Sequence, residues 1–253
     1  MGVVISERLI RGTGTPESDW QAWFESCPVA TSTLPAFLSA DARLVVVAPH
    51  PDDEVLACGA LLSMHAERGG ASLLVALTDG EASHAGTARC NVQQLAAERR
   101  AERAEGLSRL GVPNAKVLRL ALPDGQVGQH ADRLAHELGA LLQPGDVVVS
   151  TWRLDGHPDH DAAGRAAAQA CAKLGCRLLE APVWMWHWAA PGDPRVPWHR
   201  LQALALHPQA LARKQTALTA HVSQLSPRDA EQGPVLGDAI LARARRRSEY
   251  FFI

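Results

Sequence analysis

Leu44 to Ala48 is an unbroken apolar run rich in Val. A run of that length reads as a strand buried on both faces, as in a parallel sheet. Longer blocks follow, with apolar residues at helical spacing, and from there strands and helices alternate. The pattern predicts a helix over Asp53–Arg68, closed by Gly69-Gly70, then a strand over Ser72–Leu77. A helix over Val92–Leu110 stops at Gly111 and Pro113, and Val117–Leu120 is a weak strand. Ala131, Leu134, Ala135, Leu138, Leu141 and Leu142 mark another helix, ended by Pro144-Gly145 ahead of a strand at Val147–Ser150. Ala162, Ala163, Ala166, Ala167, Ala170, Cys171 and Leu174 mark the next, before a strand candidate at Leu178–Val183. A last helix is predicted over Gln209–His221.

Strand–helix alternation of this kind belongs to the α/β class. It predicts a single Rossmann-like doubly wound domain with a mostly parallel sheet. Residues 1–40 read as an irregular N-terminal extension, broken by Gly12, Gly14, Pro16, Pro28 and Pro35. Trp20, Trp23 and Phe24 mark a short amphipathic turn in it that packs on the body. Residues 41–225 form the domain, and residues 226–253 a tail that packs on it. Ligands in such sheets bind beyond the carboxyl ends of strands, where strand order reverses. The segments after Leu44–Ala48 and Val147–Ser150 are therefore the ones to inspect.

Composition narrows the classes further. The 253 residues are 47% hydrophobic, enough for one well-buried core. Lys+Arg of 25 against Asp+Glu of 27 gives a net charge of -2, so no basic field exists to hold nucleic acid. The apolar runs are too short to span a bilayer, and the N-terminus has no secretory pattern. Five scattered cysteines with no Cys-x-x-Cys pair argue against a disulfide framework or a thiolate zinc site, and fit a reducing, cytoplasmic setting. Arg far outnumbers Lys, which points to a GC-rich bacterial genome. Gly12-Thr13-Gly14 is not a nucleotide loop, because no strand precedes it.

Two segments carry chemistry. Pro49-His50-Pro51-Asp52-Asp53-Glu54 follows the first strand, and Asp155-Gly156-His157-Pro158-Asp159-His160-Asp161 follows the fourth. Carboxylates there could simply cap helix N-termini, and Pro51 suits a helix start. Capping needs one carboxylate and no imidazole, however, and both segments fall at the predicted ligand edge. The alternative is a mononuclear metal site. His50 and Asp53, three apart at a helix start, can point at one centre, with His160 as third ligand. Two imidazoles and a carboxylate leave positions open for water and substrate. The set suits Zn²⁺, and Fe²⁺ is compatible with it.

These paired motifs resemble the PIG-L/LmbE family of zinc-dependent deacetylases. That family includes N-acetylglucosaminyl-phosphatidylinositol deacetylase and enzymes of mycothiol and bacillithiol synthesis. The resemblance runs from about Leu44 to Gln224, with weaker support from Arg99…Glu102…Leu110-Gly111-Val112 and from His221-Val222-Ser223-Gln224. It implies that His50, Asp53 and His160 hold the metal and that Asp52 is the general base. It also implies that His157 stabilises the oxyanion, best when protonated, with Asp159 orienting it. The implied reaction is removal of an acetyl or other acyl group from an N-acetylglucosamine-type sugar derivative, a small-molecule glycoconjugate. Two departures stand out. Pro49 replaces a common Ala, and Asp155 stands where some branches carry Tyr. Ionised, Asp155 cannot donate a hydrogen bond.

Other classes are compatible with parts of the pattern. An amidase of a larger conjugate, such as a thiol conjugate, needs the same groups. A non-haem Fe(II) oxygenase shares the ligand types but usually sits on an all-β barrel. A non-catalytic binding module would have no use for a base beside the ligands. Asp79, Arg99, Asp124, Asp155 and His221 are the candidate substrate contacts. Arg89, Arg100 and Arg103 are further candidates for an anion contact, with a charged helix face as the plainer reading. Asp79-Gly80 and Asp124-Gly125 equally suit turns. Trp184, Trp186 and Trp188 alternate, which places them on one side of a strand. Such a set reads as core packing or as a wall that stacks on sugar. His65, His84, His130, His136 and His207 show no partner pattern and are expected in solvent. Arg243, Arg245, Arg246 and Arg247 read as a solvated helix end, and Tyr250–Ile253 as an apolar latch onto the body or a neighbouring subunit. Homo-oligomerisation is thereby left open.

Overall fold

A computed structural model describes residues 8–87 and 91–253; Arg89 and Cys90 lie outside these. In chain order the elements begin with α1 (Glu17–Ser26), β1 (Ala30–Ser32), α2 (Leu34–Phe37), β2 (Leu44–Ala48) and α3 (Asp53–Glu67). Next come β3 (Ser72–Ala76), α4 (Val92–Arg109), β4 (Lys116–Arg119), α5 (Ala131–Leu141) and β5 (Val147–Thr151). α6 (Pro158–Leu174), β6 (Arg177–Ala181), α7 (Met185–Trp188), β7 (Leu201–Ala205) and α8 (Pro208–Leu218) follow. The chain closes with α9 (Val222–Leu225), α10 (Asp238–Ala244) and β8 (Ser248–Phe252). The eight strands lie in one sheet in the order β1-β7-β8-β6-β5-β2-β3-β4, and only β8 runs antiparallel to its neighbours. The α/β doubly wound reading therefore holds.

Strand β2 shows how sequence sets the layers. Leu44, Val46 and Ala48 point into one core with α3 and α8. Val45 and Val47 point into the other, with α5 and α6. Side chains two apart share a face, so an all-apolar strand serves both layers. β2 pairs in register with β3 on one side (Leu44 with Ser72) and with β5 on the other (Leu44 with Val147). The chain turns outward in both directions from this pair, so the switch point lies beyond Ala48 and Thr151. Gly164 lets α6 press onto that edge. A Cβ there would lie 2.5 Å from the Thr151 carbonyl oxygen and from the Arg153 nitrogen.

Both ends of the chain differ from the sequence expectation. The stretch read as irregular contains α1, whose Trp20 is fully buried, and β1 extends the sheet beside β7. The C-terminal residues form no surface latch: β8 is an interior strand between β6 and β7. Glu249 on β8 explains the anchoring. Helix α3 is broken at Cys58 (φ -153°, ψ 26°), which opens its ladder of backbone bonds. Glu249 accepts from the freed Ala60 and Leu61 amides at 2.8 and 2.9 Å. Lys214 on α8 donates to the Leu56 carbonyl at 3.0 Å and to Glu249 at 2.7 Å. A buried ion pair thus fills the gap in the helix. The basic tail is only partly solvated: Arg245 and Arg247 are exposed, whereas Arg243 is buried and Arg246 pairs with Glu17 and lies over the Trp186 ring. Among the described residues no helix is long and apolar enough to cross a membrane.

Two stability predictions follow from these contacts. Gly164→Ala destabilises the fold by about 1–3 kcal/mol through overpacking, although in an open helix the change would favour it by about 1 kcal/mol. Glu249→Ala leaves Lys214 buried and unpaired, at a cost of about 3–5 kcal/mol. Urea unfolding midpoints measure both.

Candidate metal centre

The loops after β2 and β5 meet across the switch point around a cavity of about 270 Å³. His50, Asp52, Asp53, His157 and His160 all line it, with Arg99 and Asp124. His50 hangs from the turn after β2. Its Nδ1 lies 3.1 Å from Asp53 Oδ2, and its Nε2 lies 3.2 Å from both Asp124 Oδ1 and Asp159 Oδ2. His160, in the first turn of α6, places Nε2 3.2 Å from the same Asp53 oxygen. One oxygen of Asp53 therefore sits between the two imidazoles. A nitrogen from each of His50, His157 and His160 also lies within 4.8 Å of the others, and His50, Asp124 and Asp159 form a second such group.

The residues fit a divalent cation on two counts. His160 Nε2 is buried and has no hydrogen-bond partner. Its other nitrogen, Nδ1, meets Asp155 Oδ2 at 2.8 Å, which orients the ring and leaves Nε2 facing the cavity. The second count is charge. Asp52, Asp53, Asp124 and Asp159 crowd the site, and Arg99 is the one guanidinium against them in direct contact. Burial disfavours a charged His50, but the hydrogen bonds it donates to Asp124, Asp159 and Asp53 outweigh it and hold its pKa well above the usual imidazole range. Burial likewise opposes the charge on His160, and Asp53 and Asp155 still raise it to about 9. Both imidazoles hold protons there because negative charge surrounds them, and a cation can take that place.

Asp52 lines the cavity beside Asp53. Its φ of 123° is in the region that L-residues avoid, a strain of about 1–3 kcal/mol. It stands at the N-cap of α3 but makes no side-chain capping bond, so helix capping does not explain it. Burial pushes its carboxyl up to about 7, against the pull of Arg99 and with the help of Asp53. Arg99 fixes the strained turn, donating to the Gly80 and Pro51 carbonyls at 2.7 Å and to Asp52 Oδ2 at 3.1 Å.

His157 and Asp159 depart from the expected division of labour. The Asp159 carboxylate does not hold His157; it accepts from the Gly125 and Val127 amides and faces His50. Instead the Asp159 backbone amide donates to His157 Nδ1 at 3.2 Å. Burial, then the charges on His160 and His50, lower the His157 pKa to about 3. His157 is therefore neutral, with its proton on Nε2, rather than protonated as the sequence reading required.

The other candidates divide. Asp124 lines the cavity beside His50 and also accepts from the Ala82 amide. Burial works against its charge, yet the bond from His50 brings its carboxyl down to about 2. Arg99 touches Asp52 and the turn, as above. Asp155 is fully buried and does not line the cavity, so it is no substrate contact. It accepts from the Val183, Trp184 and Met185 amides as well as from His160. Asp79 is taken up by Arg100 and Arg119, away from the cavity. Arg103 is buried against Glu54 and Thr78 rather than free for an anion. His221 is buried, packs against Gly106 and does not reach the cavity. Its neighbour Gln224 does, held in place where Glu102 accepts from the Ser223 amide and hydroxyl. His65 and His84 are buried, not solvated.

The Trp stretch is a turn of helix, α7, not a strand. Three amides captured by Asp155 bend the chain there. Trp186 enters an aromatic core with Trp20 and Trp198, Trp188 stacks on Trp152, and Trp184 lines the cavity. Arg228 and Val235 line it too. Neither was legible in the sequence, because both sit in an irregular loop without a motif.

The sequence of residues 45–171 matches the family model described as GlcNAc-PI de-N-acetylase, PIG-L. The chain belongs to the PIG-L family. The match takes in the loops after β2 and β5 and so both halves of the cavity. A search of curated proteins finds no match. Among solved structures, the chain is similar to a conserved protein from Thermus thermophilus. That pair shares 28% identity with a TM-score of 0.57, covering 83% of this chain and 93% of the other. It is similar in fold to N,N'-diacetylchitobiose deacetylase from Pyrococcus horikoshii (21% identity, TM-score 0.53, covering 82% and 79%). The zinc-inhibited form of a teicoplanin deacetylase shares the fold as well (17% identity, TM-score 0.62, covering 83% and 97%).

Asp155→Asn removes the charge that orients His160. Metal affinity then falls about 10–100-fold, read by competition against a chelating indicator dye.

Proposed function

We propose that this PIG-L chain is a zinc-dependent N-deacetylase. It removes the acetyl group from the amine of an N-acetylglucosamine-type sugar derivative. The observation that carries the reading is the buried, unpartnered His160 Nε2 beside Asp53 and His50, with its other nitrogen held by Asp155. His50, Asp53 and His160 would hold the cation, and two imidazoles with a carboxylate suit Zn²⁺. When bound, such an ion supplies Lewis acidity that makes water a competent nucleophile near neutral pH.

The chain's own residues supply the rest. Asp52, with its pKa near 7, takes a proton from the attacking water and returns it to the leaving amine. A carboxylate with an ordinary pKa near 4 would be a weaker base for that task. His157 presents Nε2–H to the carbonyl oxygen as negative charge develops on it, a donor of the kind worth about 3 kcal/mol. The Asp159 amide keeps that proton on Nε2. Arg99 holds Asp52 in its strained conformation, aimed at the cavity. The shared fold of the N,N'-diacetylchitobiose and teicoplanin deacetylases supports an acetylated sugar as the substrate class.

The test joins metal analysis to amine release from N-acetylglucosamine derivatives. We expect one zinc per chain and metal-dependent release of free amine. Zinc without turnover on any acetamide would sink the proposal. Asp52→Asn should keep its metal and lose at least about 100-fold in kcat. His160→Ala should lose the metal itself. Asp52 accepts a proton only when ionised, so activity should rise with pH to about 7 and level off above it. A rising limb unchanged in the residual activity of Asp52→Asn would assign it to another group.

A further inference from the structure

A small cavity, of about 40 Å³, lies where α3, α10 and β8 meet. It is separate from the candidate centre: none of the imidazoles or carboxylates there lines it, and Leu56 alone among the described residues lines both. Its charged lining is lopsided, with Lys214, Arg243 and Arg246 against Glu249. Lys214 is matched by Glu249 at 2.7 Å. Arg246 is matched by Glu17, which accepts from its Nε at 2.9 Å and from its Nη2 at 2.7 Å.

Arg243 has no such match among the described residues. Its side chain is 7% exposed, and Nη2 donates to the Thr15 carbonyl at 2.9 Å. Nε and Nη1 are buried and make no hydrogen bond. Burial, then the charge on Arg246, lower its pKa to about 10, so it stays charged at neutral pH. A buried cation without a counter-charge is among the costliest groups a fold can hold. Water in the cavity would satisfy the N–H groups and leave the charge unbalanced. An anion would do both. A water takes about 30 Å³ in the liquid, so the cavity has room for one occupant of that size and not for a polyatomic ligand. Glu249 does not bar an anion, because its oxygens already accept from the Ala60 and Leu61 amides and from Lys214. Ser248 and Tyr250 also line the cavity and carry hydroxyls of the kind that donate to anions. Pro182, Val183 and Ile240 add apolar wall, where charge attraction is strengthened.

We propose that this cavity binds one small monovalent anion of chloride size, held by Nε and Nη1 of Arg243. The ion completes the charge balance where α10 and β8 pack on α3. Stability of the fold is thereby linked to the concentration of halide.

Thermal unfolding of the metal-loaded protein at constant ionic strength tests the site, with sodium chloride exchanged for sodium gluconate, whose anion is too large to enter. Carrying chloride from well below its dissociation constant to about tenfold above it should raise the midpoint by about 3–5 °C. Arg243→Gln should lack that rise and keep its metal. Ala244→Leu, which fills the cavity and leaves the guanidinium in place, should lack it too. Crystals of the metal-loaded protein soaked in sodium bromide should show an anomalous peak beside Arg243, a reading that does not depend on either variant folding. A bromide peak at the metal alone, or a rise that persists in Arg243→Gln, assigns the halide to another place and overturns the site. A midpoint indifferent to the choice of anion means that water fills the cavity, and overturns it as well.

Discussion

The Asp155 carboxylate organises the site from behind. It is fully buried and accepts four hydrogen bonds, three from consecutive amides after β6 and one from His160. Burying an ion costs several kcal/mol, and each bond to a charged acceptor returns about 1.5–3 kcal/mol. Four donors make the burial sustainable. The arrangement also ties two parts of the site together. One end of the carboxylate orients the ring of His160, and the same group bends residues 183–185 into the turn that starts α7. That turn sends Trp186 into the aromatic core and Trp184 to the cavity wall. The imidazole that faces the centre and the indole beside it therefore share one support.

Charge explains why so many carboxylates gather here. Asp52 and Asp53 lie at the start of α3, and Asp159 in the first turn of α6. Helix dipoles favour anions at such positions, but by about 0.3–1 kcal/mol each. That is far below the several kcal/mol needed to bury a carboxylate. The dipoles alone cannot sustain the cluster, and Arg99 compensates only one member directly. The remaining balance comes from protons on His50 and His160 or from a cation among them. These are two ways to satisfy one electrostatic requirement, and only the second frees the imidazole nitrogens as donors of lone pairs.

Most of the fold and the heart of the site were legible because the signals are local. An all-apolar β2 requires cover on both faces, and the switch point follows from strand order. His50 and Asp53 lie within four residues, and His157, Asp159 and His160 within another four. What escaped the sequence depends on contacts between distant segments. β8 is a short strand behind an Arg-rich stretch, and its place inside the sheet rests on Glu249 meeting the break in α3 from 188 residues away. Alternating Trp residues read as a strand until Asp155 is known to bend them into a helical turn. Asp155 itself looked like a candidate substrate contact, because a carboxylate's worth depends on which donors the fold brings to it. The tautomer of His157 rests on one backbone amide, which no residue type encodes.

Asp52 shows what the site gives up for chemistry. A carboxylate at a helix start normally caps it, a contribution of about 1 kcal/mol. Capping bonds to backbone N–H groups also favour the ionised form and lower the pKa. An Asp52 that capped α3 would be a stronger acid and a poorer base. The positive φ turns its side chain away from the helix, and Arg99 holds the turn through the Pro51 and Gly80 carbonyls. Only one bond of Arg99 goes to the carboxylate, at 3.1 Å, so burial still dominates and the pKa stays near 7. Strain and a forgone cap thus accompany a carboxyl whose pKa lies near 7, beside an Asp53 that His160 and His50 hold ionised against its own burial. Two adjacent carboxylates acquire opposite proton affinities because one faces two imidazoles and the other faces a cavity.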